Sequence, residues 1–279
     1  MFPTRRELTK SFLVPLLSFV LMSSLALPLA RAEEKPAAAP AAAADADAPI
    51  AAAASLRYAL DEIAAQFEKK TGQKVRITYG ATGNLVQQIE KAAPFQVLFV
   101  ADDKSVKKLA SENLTEGAPV IFARGRISIV APKGSPVAVD GELKGLGDAL
   151  AAGKVAHFAI ANPDVAPYGV AAREALQKAG LWDKLTGKIV LGENVGQAAQ
   201  FATTGAAEAG IIGHSLALSA EMAPKITAAL IPESWHKPIE HGMAVIKGAG
   251  APAKAFADYV RGSEACAILE KNGFSVPGA

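Results

Sequence analysis

The chain has 279 residues, with 29 Lys or Arg and 27 Asp or Glu, and its formal net charge is +2. Most of the basic surplus lies in residues 1–32, which carry Arg5, Arg6, Lys10 and Arg31 against Glu7. The remaining chain is near neutral, which excludes the basic surface that binding to nucleic acid or anionic lipid requires. The single cysteine, Cys266, excludes an internal disulfide, and its apolar helical surroundings predict a buried thiol.

The N-terminal segment, residues 1–32, has the pattern of a secretory signal peptide: basic residues, an apolar run, then a small-x-small cleavage site. A membrane anchor is the alternative, but Pro15 and Pro28 interrupt the apolar run. Export by the Sec route is expected, and the paired arginines leave a twin-arginine route open. Residues 33–47 are rich in Ala and Pro and predict a disordered leader. The folded part should therefore begin near residue 48.

Short β-type runs then alternate with helical patterns, which is typical of an α/β fold. The first helix is predicted to begin at Ser55 as N-cap and to end at Gly72. Its apolar stripe consists of Leu56, Leu60, Ile63 and Phe67. The strand candidates are residues 75–79, 97–101, 126–132, 157–162, 188–192, 209–213, 226–232 and 242–248.

Four predicted helices begin with groups that can donate hydrogen bonds. These beginnings lie at Ser55, 82–84, 168–169 and 194–195, two in each half of the chain. Helix N-termini carry free amides and a partial positive charge, so each is suited to an anion. If the chain forms two lobes, a cleft between them can bring all four helix ends to one ligand.

The glycine-rich loop at residues 80–84 also suggests a dinucleotide site, with Asp102 or Asp103 on the ribose. Two features argue against that interpretation. The third glycine of the fingerprint is replaced by Val86, and the loop follows a complete helix instead of opening the fold. An exported protein also meets little nicotinamide cofactor. The sequence therefore favours a smaller anion and predicts no cofactor.

A second enzyme signal is the sequence GHSLA at residues 213–217, which resembles the nucleophile elbow of an α/β-hydrolase with Ser215 as nucleophile. That fold needs an acid and then a histidine on later strands, and only His236 and His241 follow. The chain also has no HGGG-type stretch for an oxyanion hole. We therefore predict that Ser215 caps a helix, and an exported serine hydrolase is the alternative from a different class.

Metal ligands are not indicated by the histidine pattern. The four histidines show none of the paired spacings of a metal site, and each is expected to be an ordinary surface or boundary residue. They are His157, His214, His236 and His241.

Five segments resemble the periplasmic molybdate-binding proteins of ABC importers, in an order and spacing that cover nearly all of the chain after residue 48. They are AAASL and its helix at 52–72, GATGNLVQQIEKAAPFQVLFVADD at 80–103, ANPDVAPYGVAAREALQKAGLWDKL at 161–185, GENVGQAAQF and the following TGAAEAGI at 192–211, and AILEKNGF at 267–274. The resemblance implies a two-lobed α/β periplasmic binding protein, with a ligand cleft between the lobes, that is not an enzyme. It also implies an oxyanion held by hydroxyls and backbone N–H groups, without a charged counter-ion, and delivered to a membrane permease.

By position in these segments, the resemblance implies Ser55 and Thr82 as hydroxyl and amide donors from the first lobe. Tyr168 and Val195 would contribute backbone N–H groups from the second lobe. All four would contact the oxygen atoms of molybdate or tungstate, so none is expected to bond the metal atom directly. The same four positions are the helix beginnings found above. Sulfate or another small oxyanion is the alternative ligand.

The resemblance also implies the lobe boundaries: a first lobe of residues 48–124 plus 240–279 and a second of 125–239, acting as a monomer. The chain departs from the family pattern in two places near this site. Some members carry a Tyr after GIV whose hydroxyl reaches the ligand, and here that position is Gly213, followed by His214. The family sequence EYP near the second crossover is EHG here, residues 240–242.

Overall fold

The computed structural model describes residues 47–277. The predicted signal peptide and all but the last residue of the predicted leader lie outside the described residues. The strands of the described chain are β1 (Ala48–Ala53), β2 (Val75–Gly80), β3 (Val97–Val100), β4 (Thr115–Gly125), β5 (Ile127–Pro132), β6 (Phe158–Ala161), β7 (Ile189–Gly192), β8 (Ala209–Gly213), β9 (Ile226–Leu230) and β10 (Ile239–Ile246).

These strands form two five-stranded sheets with the same internal arrangement. The first sheet has the order β2-β1-β3-β10-β4 and the second has the order β7-β6-β8-β5-β9. In the first, β1 is parallel to β2 and β3, while β10 runs antiparallel to β3 and β4. In the second, β6 is parallel to β7 and β8, while β5 runs antiparallel to β8 and β9. Each sheet with its helices is called a lobe below, and the predicted two-lobed α/β fold is confirmed.

The helices of the described chain are α1 (Arg57–Thr71), α2 (Thr82–Glu90), α3 (Asp103–Ser111), α4 (Lys144–Ala151), α5 (Pro167–Lys178), α6 (Val195–Thr204), α7 (His214–Ala217), α8 (Ala251–Val260) and α9 (Ser263–Lys271). The predicted end of α1 is confirmed, since Gly72 adopts the left-handed conformation with φ 70°. Within residues 47–277, no helix has both the length and the apolar character to cross a membrane. Cys266 on α9 is half-buried, so the prediction of a buried thiol was wrong.

The core of the first lobe lies where α1 and α8 cover the sheet. Phe67 and Phe256 meet edge to face with ring centroids 5.3 Å apart, and Phe99 contacts Phe256 at 6.0 Å. All three side chains are at most 1% exposed, and burial of each contributes about 1.5–3 kcal/mol. Every residue of β3 is buried, as expected for a central strand covered on both faces.

The strand β4 was missing from the predicted strands. Gly117 and Pro119 interrupt its first half, and they are typical of a loop. Pairing with β10 at the edge of the sheet supplies the backbone hydrogen bonds that hold this segment extended.

The predicted site residues lie at the edge of each sheet where the parallel strands have their carboxyl ends. Ser55 and Thr82 follow the carboxyl ends of β1 and β2, while Tyr168 and Val195 follow those of β6 and β7. In open α/β sheets, ligands bind outside the carboxyl ends of parallel strands. The two sets of strand ends face each other, so the fold directs both pairs of residues to the region between the lobes.

Candidate functional site

All four residues predicted for the site line one small cavity between the lobes. Ser55, Thr82, Tyr168 and Val195 surround a volume of about 10 Å³. Each of the four is at most 4% exposed. The other lining residues are Ala53, Ala54, Gly80, Ala81, Ala101, Ala166 and Pro167. None of the lining residues is charged, so the polar groups that face the cavity are hydroxyls and backbone groups.

Ser55 lies in a short 3-10 turn, Ala54–Leu56, between β1 and α1. Its side chain does not cap a helix, contrary to the N-cap prediction, because the turn inserts extra residues before α1 begins. Its Oγ lies 3.1 Å from Nε2 of His241. The hydroxyl is therefore held between the cavity and a buried imidazole.

Thr82 is the first residue of α2. Its Oγ1 accepts a hydrogen bond from the backbone N–H of Ala101 over 3.1 Å. That bond uses a lone pair of the hydroxyl and leaves its proton available. Thr82 can therefore donate to a ligand while Ala101 fixes the position of the oxygen atom.

Tyr168 and Val195 each lie in the first turn of a helix, where backbone N–H groups have no intrahelical partner. Tyr168 follows Pro167, which occupies the first position of α5. At α6 the side chain of Asn194 accepts hydrogen bonds from the amides of Gly196 and Gln197 at 2.9 and 3.1 Å. This cap leaves the amide of Val195, one residue earlier, for another acceptor.

His241 is the residue of this region that the sequence analysis missed. It was expected to be an ordinary surface or boundary histidine, but it is 0% exposed, on β10. Burial lowers the pKa of His241 to about 3, and the nearby backbone carbonyl of Ile239 opposes that shift only in part. The only sequence signal for this residue was the substitution of EHG for the family's EYP.

Tyr168 lies against the same histidine, with ring centroids 5.9 Å apart. Two buried polar atoms, Nδ1 of His241 and the Tyr168 hydroxyl oxygen, have no hydrogen-bond partner among the described residues. Burial raises the pKa of the Tyr168 phenol, and the nearby Ser55 hydroxyl opposes that shift. Both side chains are therefore neutral at physiological pH.

Two glycines provide the space for these rings. A Cβ atom at Gly125 would lie 2.1 Å from the Tyr168 hydroxyl oxygen and 2.7 Å from Cε1 of His241. A Cβ atom at Gly213 would lie 3.1 Å from Cε1 of Tyr168. The ring of Tyr168 thus lies beside position 213, where some family members carry their own tyrosine.

The prediction that Ser215 caps a helix was wrong. The N-cap residue of α7 is Gly213, and the Ser215 hydroxyl instead donates to the backbone carbonyl of Ser55 over 2.8 Å. The adjacent His214 faces Ser128, with 2.9 Å between Nδ1 and Oγ. Burial and the charge of Arg126 lower the pKa of His214. The Ser215 proton is thus committed to a carbonyl, an arrangement that does not generate a nucleophile.

The lobes also make direct contacts outside the cavity. The backbone N–H of Gly83 in α2 donates to the carbonyl of Val165 over 2.9 Å, and the Tyr58 hydroxyl donates to Glu221 over 2.8 Å. Two grooves of about 410 and 300 Å³ share lining residues with the cavity. The structure is therefore that of lobes closed on each other.

Clustered metal ligands are absent from the described part of the chain: no three His, Cys, Asp or Glu side chains come together as they would around a metal ion. The cavity is lined by neutral hydrogen-bond donors, which lie at the N-termini of α2, α5 and α6 and in the 3-10 turn before α1. Two α/β lobes closed over such a cavity define the class of two-lobed solute-binding proteins.

Residues 48–275 match the family described as bacterial extracellular solute-binding proteins, and the chain belongs to that family. Among its relatives, the molybdate-binding protein ModA of Rhodobacter capsulatus is 35% identical over 227 residues, covering 80% of this chain and 86% of the relative. ModA of Azotobacter vinelandii is 34% identical over 230 residues, covering 81% and 89%. Among solved structures, the periplasmic molybdate-binding protein of A. vinelandii superposes with a TM-score of 0.74 at 31% identity, covering 83% of this chain and all of the other.

Proposed function

We propose that this protein binds molybdate, and also tungstate, and delivers it to the permease of an ABC importer. The observation that carries the proposal is the convergence of three helix N-termini, those of α2, α5 and α6, and the 3-10 turn before α1 on one uncharged cavity between the lobes. The proposed ligand residues are Ser55, Thr82, Tyr168 and Val195.

The chemistry of the cavity fits a tetrahedral dianion. Such an ion has four oxygen atoms that only accept hydrogen bonds, and the cavity presents hydroxyls and helix N-terminal amides that donate them. Hydrogen bonds to a charged acceptor contribute about 1.5–3 kcal/mol each, so a few suffice for strong binding without a counter-ion. A cavity of about 10 Å³ has room for no more than one water molecule, so the lobes must separate to admit the ion and close around it with a wider cavity than in this structure.

The choice of molybdate over sulfate rests on the relatives that are named for molybdate binding and share about a third of their residues with this chain. A serine hydrolase is not favoured, because the Ser215 hydroxyl donates to the Ser55 carbonyl. We therefore expect no catalytic turnover.

The cellular setting follows from the same proposal. Residues 1–32 would be removed on export to the periplasm, and the protein would act there as a monomer. The proposed lobes are residues 48–124 plus 240–279 and residues 125–239. This division is supported by the strands of each sheet, since β1 to β4 and β10 form one sheet and β5 to β9 form the other.

Isothermal titration of the chain from residue 33 with molybdate, tungstate, sulfate and phosphate tests the ligand. We expect one molybdate or tungstate per chain, and a stabilisation of about 2.7 kcal/mol at a hundred times the dissociation constant. Thermal melts at matched concentrations supply a second measurement. Equal shifts with sulfate and molybdate would contradict the assignment to molybdate.

A further inference from the structure

Two grooves between the lobes adjoin the ligand cavity, and each is a candidate path for the ion. The larger, of about 410 Å³, shares four lining residues with the cavity, Thr82, Ala101, Ala166 and Pro167. The smaller, of about 300 Å³, shares Ala54. They are called the acidic groove and the Arg57 groove below. Because both reach the cavity, their charge and their position relative to the crossovers decide between them.

The acidic groove carries an excess of negative charge. Five carboxylates line it, against the two ammonium groups of Lys104 and Lys237, so its net charge is −3. The carboxylates are those of Asp102, Asp103, Asp164, Glu174 and Glu240. A cleft lined by one sign of charge concentrates ions of the opposite sign and excludes ions of its own. An oxyanion is therefore repelled from this groove.

The Arg57 groove is lined by one charged group of each sign, Arg57 and Glu221, and both are exposed. The Arg57 guanidinium lies over the ring of Tyr79, 4.6 Å from its centroid, and forms no ion pair within residues 47–277. The Glu221 carboxylate accepts a hydrogen bond from the Tyr58 hydroxyl over 2.8 Å. The groove thus presents an oxyanion with a cation that no carboxylate neutralises by direct contact.

Two carboxamides add uncharged donors to the Arg57 groove. The side-chain oxygen of Asn194 already accepts from the amides of Gly196 and Gln197. The side-chain oxygen of Gln197 accepts from the amide of Glu193 over 2.7 Å. Because both oxygens are engaged, the NH₂ groups of Asn194 and Gln197 remain as donors among the residues that line the groove. They can replace part of the hydration of an anion that passes.

The crossovers between the lobes favour the same groove. The chain crosses from β4 to β5 and returns from β9 to β10. Lys237 and Pro238, in the second crossover, line the acidic groove, whereas none of the residues that line the Arg57 groove belongs to a crossover. Lobes that open about such segments separate least beside them. Opening therefore widens the Arg57 groove more than the acidic groove.

A hydrogen bond between the lobes spans the Arg57 groove, from the Tyr58 hydroxyl on α1 to Glu221 after α7. The pair is exposed to solvent. Separation of the lobes therefore exchanges this bond for hydrogen bonds with water, at a small net cost. The contact closes the groove weakly and does not prevent passage of an ion.

We infer that the oxyanion enters and leaves the cavity through the Arg57 groove, and that Arg57 attracts it there. The inference rests on the proposed function. Arg57 is not among the residues that line the cavity, so its charge stabilises the ion in passage more than the bound ion. Loss of that charge should slow association and dissociation by similar factors and leave the dissociation constant nearly unchanged. Loss of the Glu221 charge should accelerate both.

Stopped-flow mixing with molybdate, followed by tryptophan fluorescence, measures both rate constants, and calorimetry measures the dissociation constant. In Arg57→Gln both rate constants should fall about two- to fivefold at low salt, and the difference from wild type should disappear near 0.5 M sodium chloride. Lys104→Gln is the matched control, because Lys104 is an exposed cation of the acidic groove, and it should behave as wild type. Arg57→Lys keeps the charge without the planar guanidinium and should retain the wild-type rates.

Glu221→Gln tests the same path with the opposite change of charge and keeps an acceptor for Tyr58. Both rate constants should rise about two- to fivefold at low salt, while Asp164→Asn, in the acidic groove, should leave them unchanged. Larger effects of the Lys104 and Asp164 variants than of the Arg57 and Glu221 variants would overturn the inference. So would unchanged rates in Arg57→Gln, or faster dissociation with weaker binding, which would mark Arg57 as a contact of the bound ion. These results would leave the proposed function standing, whereas failure of the wild type to bind any oxyanion would overturn both.

Discussion

Replacement of Thr82 by Val removes two roles of its hydroxyl, and each loss has its own measurement. The substitution keeps the shape of the buried side chain but removes the donor to the ligand and the acceptor for the Ala101 amide. Loss of a hydrogen bond to a charged ligand costs about 1.5–3 kcal/mol, so molybdate should bind about ten- to a hundredfold more weakly. The Ala101 amide is left buried and unpaired, which should lower the free energy of unfolding of the ligand-free protein by about 1–3 kcal/mol.

Titration calorimetry measures the first loss, and denaturant unfolding without ligand measures the second. Thr82→Ser is the matched control: it keeps the hydroxyl and loses one buried methyl group, so affinity should stay near wild type. If Thr82→Val bound molybdate within about threefold of wild type, the hydroxyl would not be a ligand donor. If only the unfolding free energy changed, Thr82 would act through the Ala101 amide alone.

Two further predictions concern the contacts around the cavity. Ser215→Ala removes one hydrogen bond between the lobes, so calorimetry should show molybdate affinity falling by about two- to tenfold; ester hydrolysis by the wild type that disappeared in this variant would show a hydrolase instead. Affinity should change little between about 0.05 and 0.5 M sodium chloride, because the four proposed ligand residues are buried and the cavity has no Lys or Arg in its lining. A steep loss of affinity in titrations at the higher salt would instead indicate surface cations.

The sequence predicted the elements whose pattern is local. The helix that begins near Ser55 was recognisable from its apolar stripe and its terminal Gly72, and the central strands from their apolar runs. Strand β4 was not recognisable, because pairing with β10 from the far end of the chain holds it extended. Local signals therefore identified the elements that have an apolar pattern and missed the strand that lacks one.

Prediction of the site residues from the sequence was also limited to local patterns. The four donor positions could be predicted because donor-rich segments before helices have a sequence pattern, and the fold brings all four to one cavity. They are Ser55, Thr82, Tyr168 and Val195. His241 was not visible, because its contact with Ser55 spans 186 residues and a lone histidine has no spacing to identify it. Ser215 was misassigned for a similar reason, since its acceptor lies on the other lobe.

The hydrogen bond between Gly83 and Val165 joins the two lobes, so ligand affinity depends on contacts between the lobes as well as on contacts with the ligand. A Cβ atom at Gly83 would lie 3.2 Å from the Val165 carbonyl oxygen, so a methyl group there requires the facing backbone to shift by a few tenths of an ångström. The apparent dissociation constant equals the intrinsic constant divided by the fraction of molecules in the binding-competent state. Substitutions at contacts between the lobes can therefore change the apparent dissociation constant while the donors around the ion stay unchanged. Affinity and ligand selectivity can thus evolve separately.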